Sequence, residues 1–388
     1  MKAVTLVLVL LAAALAVAPS DRELHMRAIV VDTHADTTQR IADDHLDIGK
    51  PQPELHLDLP KMKAGGLDAE FFSIWVDPKK VKPEGFHKDA LRQLDAVHDM
   101  IRKNAKVIAW AKTAADVREN AKRGLLSALF GVEGGHMLLP GTPDEQIARL
   151  RKFYELGARY MTLTWSNSNP IGGSSGDEGD IQGLTDFGRR VVDEMQRLGM
   201  MIDISHVSDP TFWDVIRYVR KPVIASHSSA RSLCNVPRNM TDAMLRAVGK
   251  NGGAVCVNFY PGFLDIDYTN AIRPIHAKYK NLPVLEAERR EREEAKKLPR
   301  PGVARLVDHI DHIAKVAGVE HVCLGSDYDG IEVAPLGVEN VAQLPAITVE
   351  LRKRGYSPAD VEKILGGNTL RVLEANQSPA PAGAGGRK

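Results

Sequence analysis

Short apolar runs rich in Val, Ile, Phe and Leu alternate along the chain with stretches whose apolar residues recur at helical spacing. Eight such runs predict strands, over 28–33, 69–76, 125–131, 160–164, 200–205, 222–226, 253–259 and 321–325. The intervening pattern predicts helices over 89–103, 144–156, 186–198, 209–219, 241–248 and 303–316. Strands that are apolar throughout are typical of parallel sheets covered on both faces. The alternation predicts a (β/α)8 TIM-type barrel, with a doubly wound sheet as the alternative.

Two segments, 172–183 and 265–300, do not fit this alternation. The second contains a run of mixed charges at i,i+4 spacing over 286–294, which is typical of a solvated helix. We therefore expect an inserted charged helical segment on the barrel surface, and a lid over a functional site is the alternative.

The two ends of the chain differ in composition from the middle. Lys2 and the apolar run 3–18, which ends in Ala-Val-Ala, predict a signal peptide over 1–18 that is cleaved on export. A membrane span needs about 20 apolar residues, so anchoring is not expected. Residues 19–376 are predicted to form one barrel domain, and the Pro, Gly and Ala of 377–388 a disordered tail. The expected location is periplasmic or secreted, with no stable membrane anchor.

Composition narrows the class of partner. The chain has 388 residues, of which 44% are hydrophobic, so a large buried core is possible and disorder is excluded as the main state. Lys and Arg number 51 against 50 Asp and Glu, a net charge of +1, which gives no electrostatic reason to bind nucleic acid. A small-molecule substrate is expected. Cys256 and Cys323 lie in apolar runs and are interpreted as small buried packing residues, with no chemistry assigned to them.

Ionisable side chains follow five of the predicted strands, at the end where barrel enzymes carry their chemistry. They are His34 and Asp36, Glu133, His206, His227, and Asp327. Burying so many ionisable groups together is costly unless a cation neutralises them. Two divalent ions would do so.

The residue types suggest how two ions would be shared. One ion takes His34 and Asp36, the other takes His206 and His227, and Glu133 bridges them. Mixed imidazole and carboxylate ligands favour zinc, with manganese, cobalt or iron as alternatives. A water bridging the two ions would be acidified, which predicts hydrolysis.

Three further residues are assigned to the same centre. Asp327 would accept the proton of that water and pass it to a leaving amine. Arg238, on the loop after the sixth strand, is predicted to clamp a substrate carboxylate, and Arg231 on the same loop is the competing candidate. His136, close to Glu133, is either a supporting residue or outside the site.

With these motifs together, the chain resembles the membrane (renal) dipeptidase family, metallopeptidases of the amidohydrolase superfamily, over 28–373. The resemblance rests on VDTHAD at 31–36, GVEGGH at 131–136, MIDISHVS at 201–208, SHSSA at 226–230, RN at 238–239, VNFY at 257–260, GSDYDG at 325–330 and GGN at 366–368. It implies an exported zinc dipeptidase, by family analogy a homodimer, that cleaves dipeptides and often tolerates a D-residue at the C-terminal position.

The resemblance also implies roles for single residues. Two zinc ions would be held by His34, Asp36 and Glu133, and by Glu133, His206 and His227. Arg238 would bind the substrate's C-terminal carboxylate, Asp327 would handle the proton, and Tyr260 would contact the substrate.

One position departs from the family pattern. After the fourth strand the animal enzymes have Leu-Thr-His, where this chain has Leu163-Thr164-Trp165. Trp165 is a candidate substrate-binding residue, but its indole donates only one hydrogen bond and carries no charge. Two alternatives to a dipeptidase follow: an amidohydrolase acting on another amide, ester or lactone, and a catalytically silent binding protein that retains metal.

Overall fold

The computed structural model describes residues 20–177 and 179–377. The expected signal peptide, and all of the expected tail except Gln377, lie outside the described residues. The strands are β1 Val30–Ala35, β2 Leu67–Ile74, β3 Ile108–Trp110, β4 Leu126–Glu133, β5 Ala158–Thr162, β6 Met201–Asp203, β7 Ile224–Ser228, β8 Ala254–Val257 and β9 Val322–Leu324. All paired strands run parallel.

Eight of these strands close into a barrel. The strand order is β2-β1-β9-β8-β7-β6-β5-β4, and a pairing of β2 with β4 completes the ring. The predicted TIM-type barrel is therefore confirmed, and each of its eight strands overlaps a predicted one. The pattern missed β3, which pairs only with residues 126–128 of β4 and stands outside the ring.

Helices connect the strands. They are α1 Asp21–Arg27, α2 Thr37–Ala42, α3 Leu59–Gly65, α4 Pro83–Lys103, α5 Ala114–Lys122, α6 Pro143–Glu155, α7 Asp186–Leu198, α8 Asp209–Tyr218, α9 Asp242–Asn251, α10 Pro261–Leu264, α11 Ile266–Tyr279, α12 Val284–Ala295, α13 Val303–Ala317, α14 Pro345–Lys353, α15 Pro358–Glu362 and α16 Asn368–Gln377. Crossover helices begin at hydroxyl caps: Thr142, Thr185, Ser208 and Thr241 each accept a backbone N–H of the first turn. Among the described residues, no helix is long and apolar enough to cross a membrane.

The barrel interior is filled by one buried cluster to which all eight ring strands contribute. Its members include Val31, Phe71, Leu129, Tyr160, Met201, Ile224, Cys256 and Cys323. Helix α16 adds Leu370 and Leu373, and its Asn376 side chain donates to the carbonyl of Pro222, just before β7. Because α16 covers the N-terminal ends of the strands, the opposite, C-terminal end is left open for a site.

Cys256 and Cys323 are buried packing residues, as predicted, but they also form a disulfide that the sequence analysis did not predict. They are direct partners in the register of β8 and β9, with Cα atoms 4.1 Å apart. Their separation of 67 residues in sequence hid this proximity, because only the strand order makes them neighbours. Cys234 is free and buried.

The insertion 265–300 forms α11 and α12. The expectation of a solvated helix holds for only one side of α12, because Glu288 and Glu291 are buried. Arg40, at the end of α2, donates to both carboxylate oxygens of Glu288 at 2.8 Å. This ion pair links α12 to α2, the helix that follows β1 at the open end of the barrel.

Gly131 in β4 is required by the ring of Tyr160, its register partner on the neighbouring strand β5. A Cβ atom at position 131 would lie 1.9 Å from Cζ of Tyr160. Gly131→Ala is therefore expected to destabilise the protein by about 1–3 kcal/mol, the usual cost of overpacking a core. The free energy of unfolding from urea titration measures this.

The matched control is Gly179→Ala, because a Cβ there would have its nearest neighbour 3.5 Å away. This control is expected to stay within about 0.5 kcal/mol of the parent. Equal stability of the two variants would contradict the placement of Tyr160 against Gly131.

Candidate metal centre

The predicted ligands converge at the C-terminal end of the barrel. His34 and His227 are the next-to-last residues of β1 and β7, and Glu133 is the last residue of β4. Asp36 follows β1 directly, and His206 follows β6 by three residues. All five are buried, with Asp36 the most exposed at 8%. The structure thus brings together side chains that lie up to 193 positions apart.

Glu133 lies at the centre of this group. Its Oε2 is 3.4 Å from Nε2 of His34. Its Oε1 is 3.0 Å from Nε2 of His206 and 3.5 Å from Nε2 of His227. Asp36 joins the first side, with Oδ2 3.6 Å from Nε2 of His34. The two oxygens of one carboxylate therefore face two different sets of imidazoles, as a bridging ligand requires.

The protonation states of these side chains favour the binding of cations. Burial opposes ionisation of Glu133, but His34, His206 and His227 outweigh it and hold the pKa of Glu133 well below its usual range. Burial, with the charge of Arg238 adding to it, lowers the pKa of His206 to about 4. Burial and the charge of His34 hold the pKa of His227 well below its usual range. Two neutral imidazoles beside a carboxylate are ligands ready for a metal.

Unpartnered atoms support the same conclusion. Nε2 of His34 and Oδ1 of Asp36 are buried without a hydrogen-bond partner among the described residues. The Nε2 atoms of His206 and His227 lie 2.9 Å apart, a distance at which two lone pairs need a proton or a cation between them. Ligand atoms of His34, Glu133 and His227 all lie within 4.8 Å of one another. The donors therefore fit a metal centre.

A second layer of side chains sets the orientation of these imidazoles. The hydroxyl of Tyr160 donates to the carbonyl of Thr33, so its oxygen accepts the Nδ1–H of His34 at 2.8 Å. The hydroxyl of Ser226 donates to Asp203 and accepts the Nδ1–H of His227 at 2.7 Å. Both contacts place the proton on Nδ1 and leave the Nε2 lone pair free for a metal.

Asp327 lies beside the first ligand set. A carboxylate oxygen of Asp327 is within 4.8 Å of ligand atoms of His34 and Asp36. Its backbone N–H donates to the carbonyl of His34, and its Oδ2 accepts a hydrogen bond from Asn258 at 2.8 Å. Burial raises the pKa of Asp327 to about 7, and the charges of Asp36 and Glu133 add to this effect. A carboxyl group with such a pKa exchanges protons near neutral pH.

Backbone conformation at two of these positions is unusual. His206 has φ of 66° and Asp327 has φ of 64°, in the left-handed region that residues with a side chain rarely adopt. Each follows a three-residue strand by three positions, at the C-terminal end of the barrel. Strained backbone of this kind is typical of functional sites.

Three of the proposed ligands, Asp36, Glu133 and His206, line a cavity together with Asp327. Trp165 and Tyr260 line its wall, as does Arg238, so all three predicted substrate-binding residues face it. Trp165 packs against Trp75, with ring centroids 4.9 Å apart. The guanidinium of Arg238 lies 5.2 Å from the ring centroid of Phe263.

The structure separates the two competing arginines. Arg231 forms a bidentate ion pair with Asp209, with both N–O distances 2.7 Å, and it does not line the cavity. Arg238 donates weakly to the carbonyl of His227 at 3.1 Å and faces the cavity. Arg238 is therefore the arginine available to a substrate.

His136 supports the wall and does not join the ligand group. Its Nε2 lies 3.0 Å from the carbonyl oxygen of Val76, and its ring packs edge-on against Phe86.

Sequence reasoning missed several cavity residues. Trp75 follows β2, His276 lies on α11, Glu288 lies on α12, and Glu332 follows Asp327 by five positions. The alternative prediction, that 265–300 forms a lid, could have identified His276 and Glu288, because a segment that covers the barrel mouth must contribute side chains to the cavity.

A parallel barrel with a buried cluster of imidazoles and carboxylates at its C-terminal end defines a metal-dependent hydrolase of the amidohydrolase type. A family model described as "Membrane dipeptidase (Peptidase family M19)" matches residues 20–382. The chain belongs to this family of metallopeptidases, so its activity class is that of a metal-dependent dipeptidase, and the resemblance drawn from the motifs is confirmed.

Solved structures agree with this membership. The metallopeptidase from Rhodobacter sphaeroides, "liganded with phosphinate mimic of dipeptide L-Ala-D-Ala", is 28% identical, with a TM-score of 0.75 over 90% of this chain and 99% of that chain. A structure described as dipeptidase AC of family M19 is 29% identical, with a TM-score of 0.76 over the same shares of the two chains. The probable dipeptidase PvdM from Pseudomonas aeruginosa is 24% identical and shares the fold, with a TM-score of 0.81 over 92% of this chain and 97% of that chain.

The hydroxyl of Tyr160 fixes the tautomer of His34, so its removal is expected to weaken metal binding. Tyr160→Phe should lower zinc affinity about 10- to 100-fold, the usual effect of losing such a contact, while the fold is retained. Competition with a chromophoric chelator measures the dissociation constant.

Tyr268→Phe is the control, because the Tyr268 hydroxyl is also buried but has no hydrogen-bond partner among the described residues. An equal loss of zinc affinity in both variants would mean that the Tyr160 hydroxyl does not orient His34.

Proposed function

We propose that the protein is an exported dipeptidase that uses two zinc ions and accepts dipeptides of the L-Xaa-D-Xaa type among its substrates. The observation that carries the two-ion proposal is the placement of Glu133, whose two carboxylate oxygens face His34 on one side and His206 with His227 on the other. His34, Asp36 and Glu133 would hold one ion, and Glu133, His206 and His227 the other. When bound, the ions supply Lewis acidity for an attacking water and for the peptide carbonyl.

The protein's own residues account for the movement of the proton. The side chain of Asn258 donates a hydrogen bond to Oδ2 of Asp327, which leaves Oδ1 to accept the proton of the attacking water. As the carbon–nitrogen bond breaks, the same carboxyl group gives that proton to the leaving amine. Burial keeps the pKa of Asp327 high enough for both transfers.

The positive charge of Arg238 selects substrates that have a free carboxylate. An arginine side chain can pair with a carboxylate through two parallel hydrogen bonds. Arg238 lines the cavity beside the ligands, so the free carboxylate of a dipeptide bound there would place the peptide bond over the centre. The bound mimic of L-Ala-D-Ala in the Rhodobacter relative supports a D-residue at the carboxylate side.

Export is part of this proposal. The disulfide between Cys256 and Cys323 supports it, because structural disulfides persist in oxidising compartments and are rare in the cytosol.

Arg238→Ala is expected to lower kcat/KM for Ala-Ala and Ala-D-Ala about 100-fold, because the substrate carboxylate loses its charged partner. Both dipeptides, and their C-amidated forms, are assayed with the zinc-loaded parent and variant. The parent should discriminate strongly against the amidated peptides, and the variant should not. Chelation should abolish hydrolysis and zinc should restore it.

Arg231→Ala serves as the control, since Arg231 is engaged by Asp209 outside the cavity. Hydrolysis of esters or lactones without a free carboxylate would instead favour a different amidohydrolase substrate. Metal retention with no turnover of any compound would favour a silent binding protein.

Thiol counting tests the disulfide. The chain contains three cysteines. Protein isolated from the periplasm or medium and denatured without reductant should therefore show one free thiol, that of Cys234, and three after reduction. Three free thiols before reduction would remove the support that the disulfide lends to export.

A further inference from the structure

A second group of ionisable side chains lies beside the same cavity, outside the proposed zinc ligands. His276 on α11 and Glu332 after β9 line the cavity, and Glu291 on α12 lies next to His276. Nε2 of His276 is 2.7 Å from Oε1 of Glu332 and 3.9 Å from Oε2 of Glu291. We call these three residues the acidic wall.

The acidic wall carries more negative charge than it can neutralise. Glu291 and Glu332 are each 7% exposed, and neither forms an ion pair with Lys or Arg among the described residues. A protonated His276 offsets one carboxylate and leaves the other. Burial, with the charge of Glu332 adding to it, raises the pKa of Glu291 to about 7.

One oxygen of the wall has no partner at all. Oε2 of Glu332 is buried without a hydrogen bond among the described residues, although the residue lines the cavity. Glu288, one helical turn before Glu291, provides the contrast, because Arg40 and Arg292 both bind its carboxylate. A buried carboxylate with one oxygen left unsatisfied is expected to meet a cation from outside.

Contacts along the cavity relate this wall to Arg238. The guanidinium of Arg238 packs over Phe263, and Tyr260 meets Phe263 edge-on with centroids 4.9 Å apart. The hydroxyl of Tyr260 then lies 3.2 Å from Nε2 of His276. Phe263 and Tyr260 therefore connect the acidic wall to Arg238, the arginine that would hold the C-terminal carboxylate.

We propose that Glu332, Glu291 and His276 form a subsite for a cationic side chain, lysine or arginine, on the C-terminal residue of the dipeptide. This inference rests on the proposed dipeptidase function. The ammonium or guanidinium group would supply the charge that Glu332 lacks, while Arg238 holds the carboxylate of the same residue.

The test compares kcat/KM of the zinc-loaded enzyme for Ala-Ala, Ala-Lys, Lys-Ala and Ala-Glu. Ala-Lys is expected to exceed Ala-Ala by about tenfold or more, and Ala-Glu to fall below it. Glu332→Gln, which keeps the shape and removes the charge, should lower kcat/KM for Ala-Lys roughly 10- to 100-fold and leave Ala-Ala within about twofold. Glu293→Gln on α12 is the control, since Glu293 is exposed and pairs with Lys296.

The outcomes separate this inference from the function on which it rests. Hydrolysis of Ala-Ala and Ala-Lys at equal rates would overturn the subsite and leave the dipeptidase proposal intact. A preference for Lys-Ala would overturn the assignment to the C-terminal residue. No hydrolysis of any dipeptide would overturn both proposals. Three zinc ions per parent chain by mass spectrometry, falling to two in Glu332→Gln, would make the wall a metal site instead.

Discussion

The burial of Glu133 among three imidazoles is the constraint on which the rest of the site depends. A carboxylate with 4% exposure at the mouth of an apolar barrel is stable only if positive charge surrounds it. Three of the surrounding side chains come from different strands, so the barrel must close for the charge to be compensated. The same requirement suits the group to cations, because the pKa values of His206 and His227 are lowered and these two imidazoles add no positive charge of their own.

Two further sets of side chains surround Glu133 and its imidazoles. Tyr160 inside the barrel and Ser226 in β7 fix the imidazoles, and Gly131 leaves the space that the Tyr160 ring occupies. Above the ligands, the cavity wall combines Arg238, whose guanidinium is held by weak contacts, with Glu332, whose carboxylate is only half satisfied. Incomplete satisfaction at these two positions has a structural cost, and it marks the points at which the carboxylate and the cationic side chain of one C-terminal residue are expected to bind.

The sequence predicted the ring strands and the converging ligands because both depend on local signals. Apolar runs mark parallel strands, and polar residues directly after them mark the mouth. Features that arise from strand order and packing left no such signal. The pairing of Cys256 with Cys323 required knowledge that β8 and β9 are neighbours, and Arg238 could be separated from Arg231 only when Asp209 was seen beside the latter. The acidic wall joins residues of α11, α12 and the loop after β9, which no spacing relates.

The pairing of β1 with β9 has a consequence for the biogenesis of the protein. The first and last strands of the ring are neighbours, and the N–H of Asp327 donates to the carbonyl of His34, 293 positions earlier. A chain truncated before residue 322 thus lacks both the closing strand and the carboxylate of Asp327, although it contains all five proposed ligands. The site therefore cannot form progressively along the chain, because its last member arrives with the strand that closes the barrel.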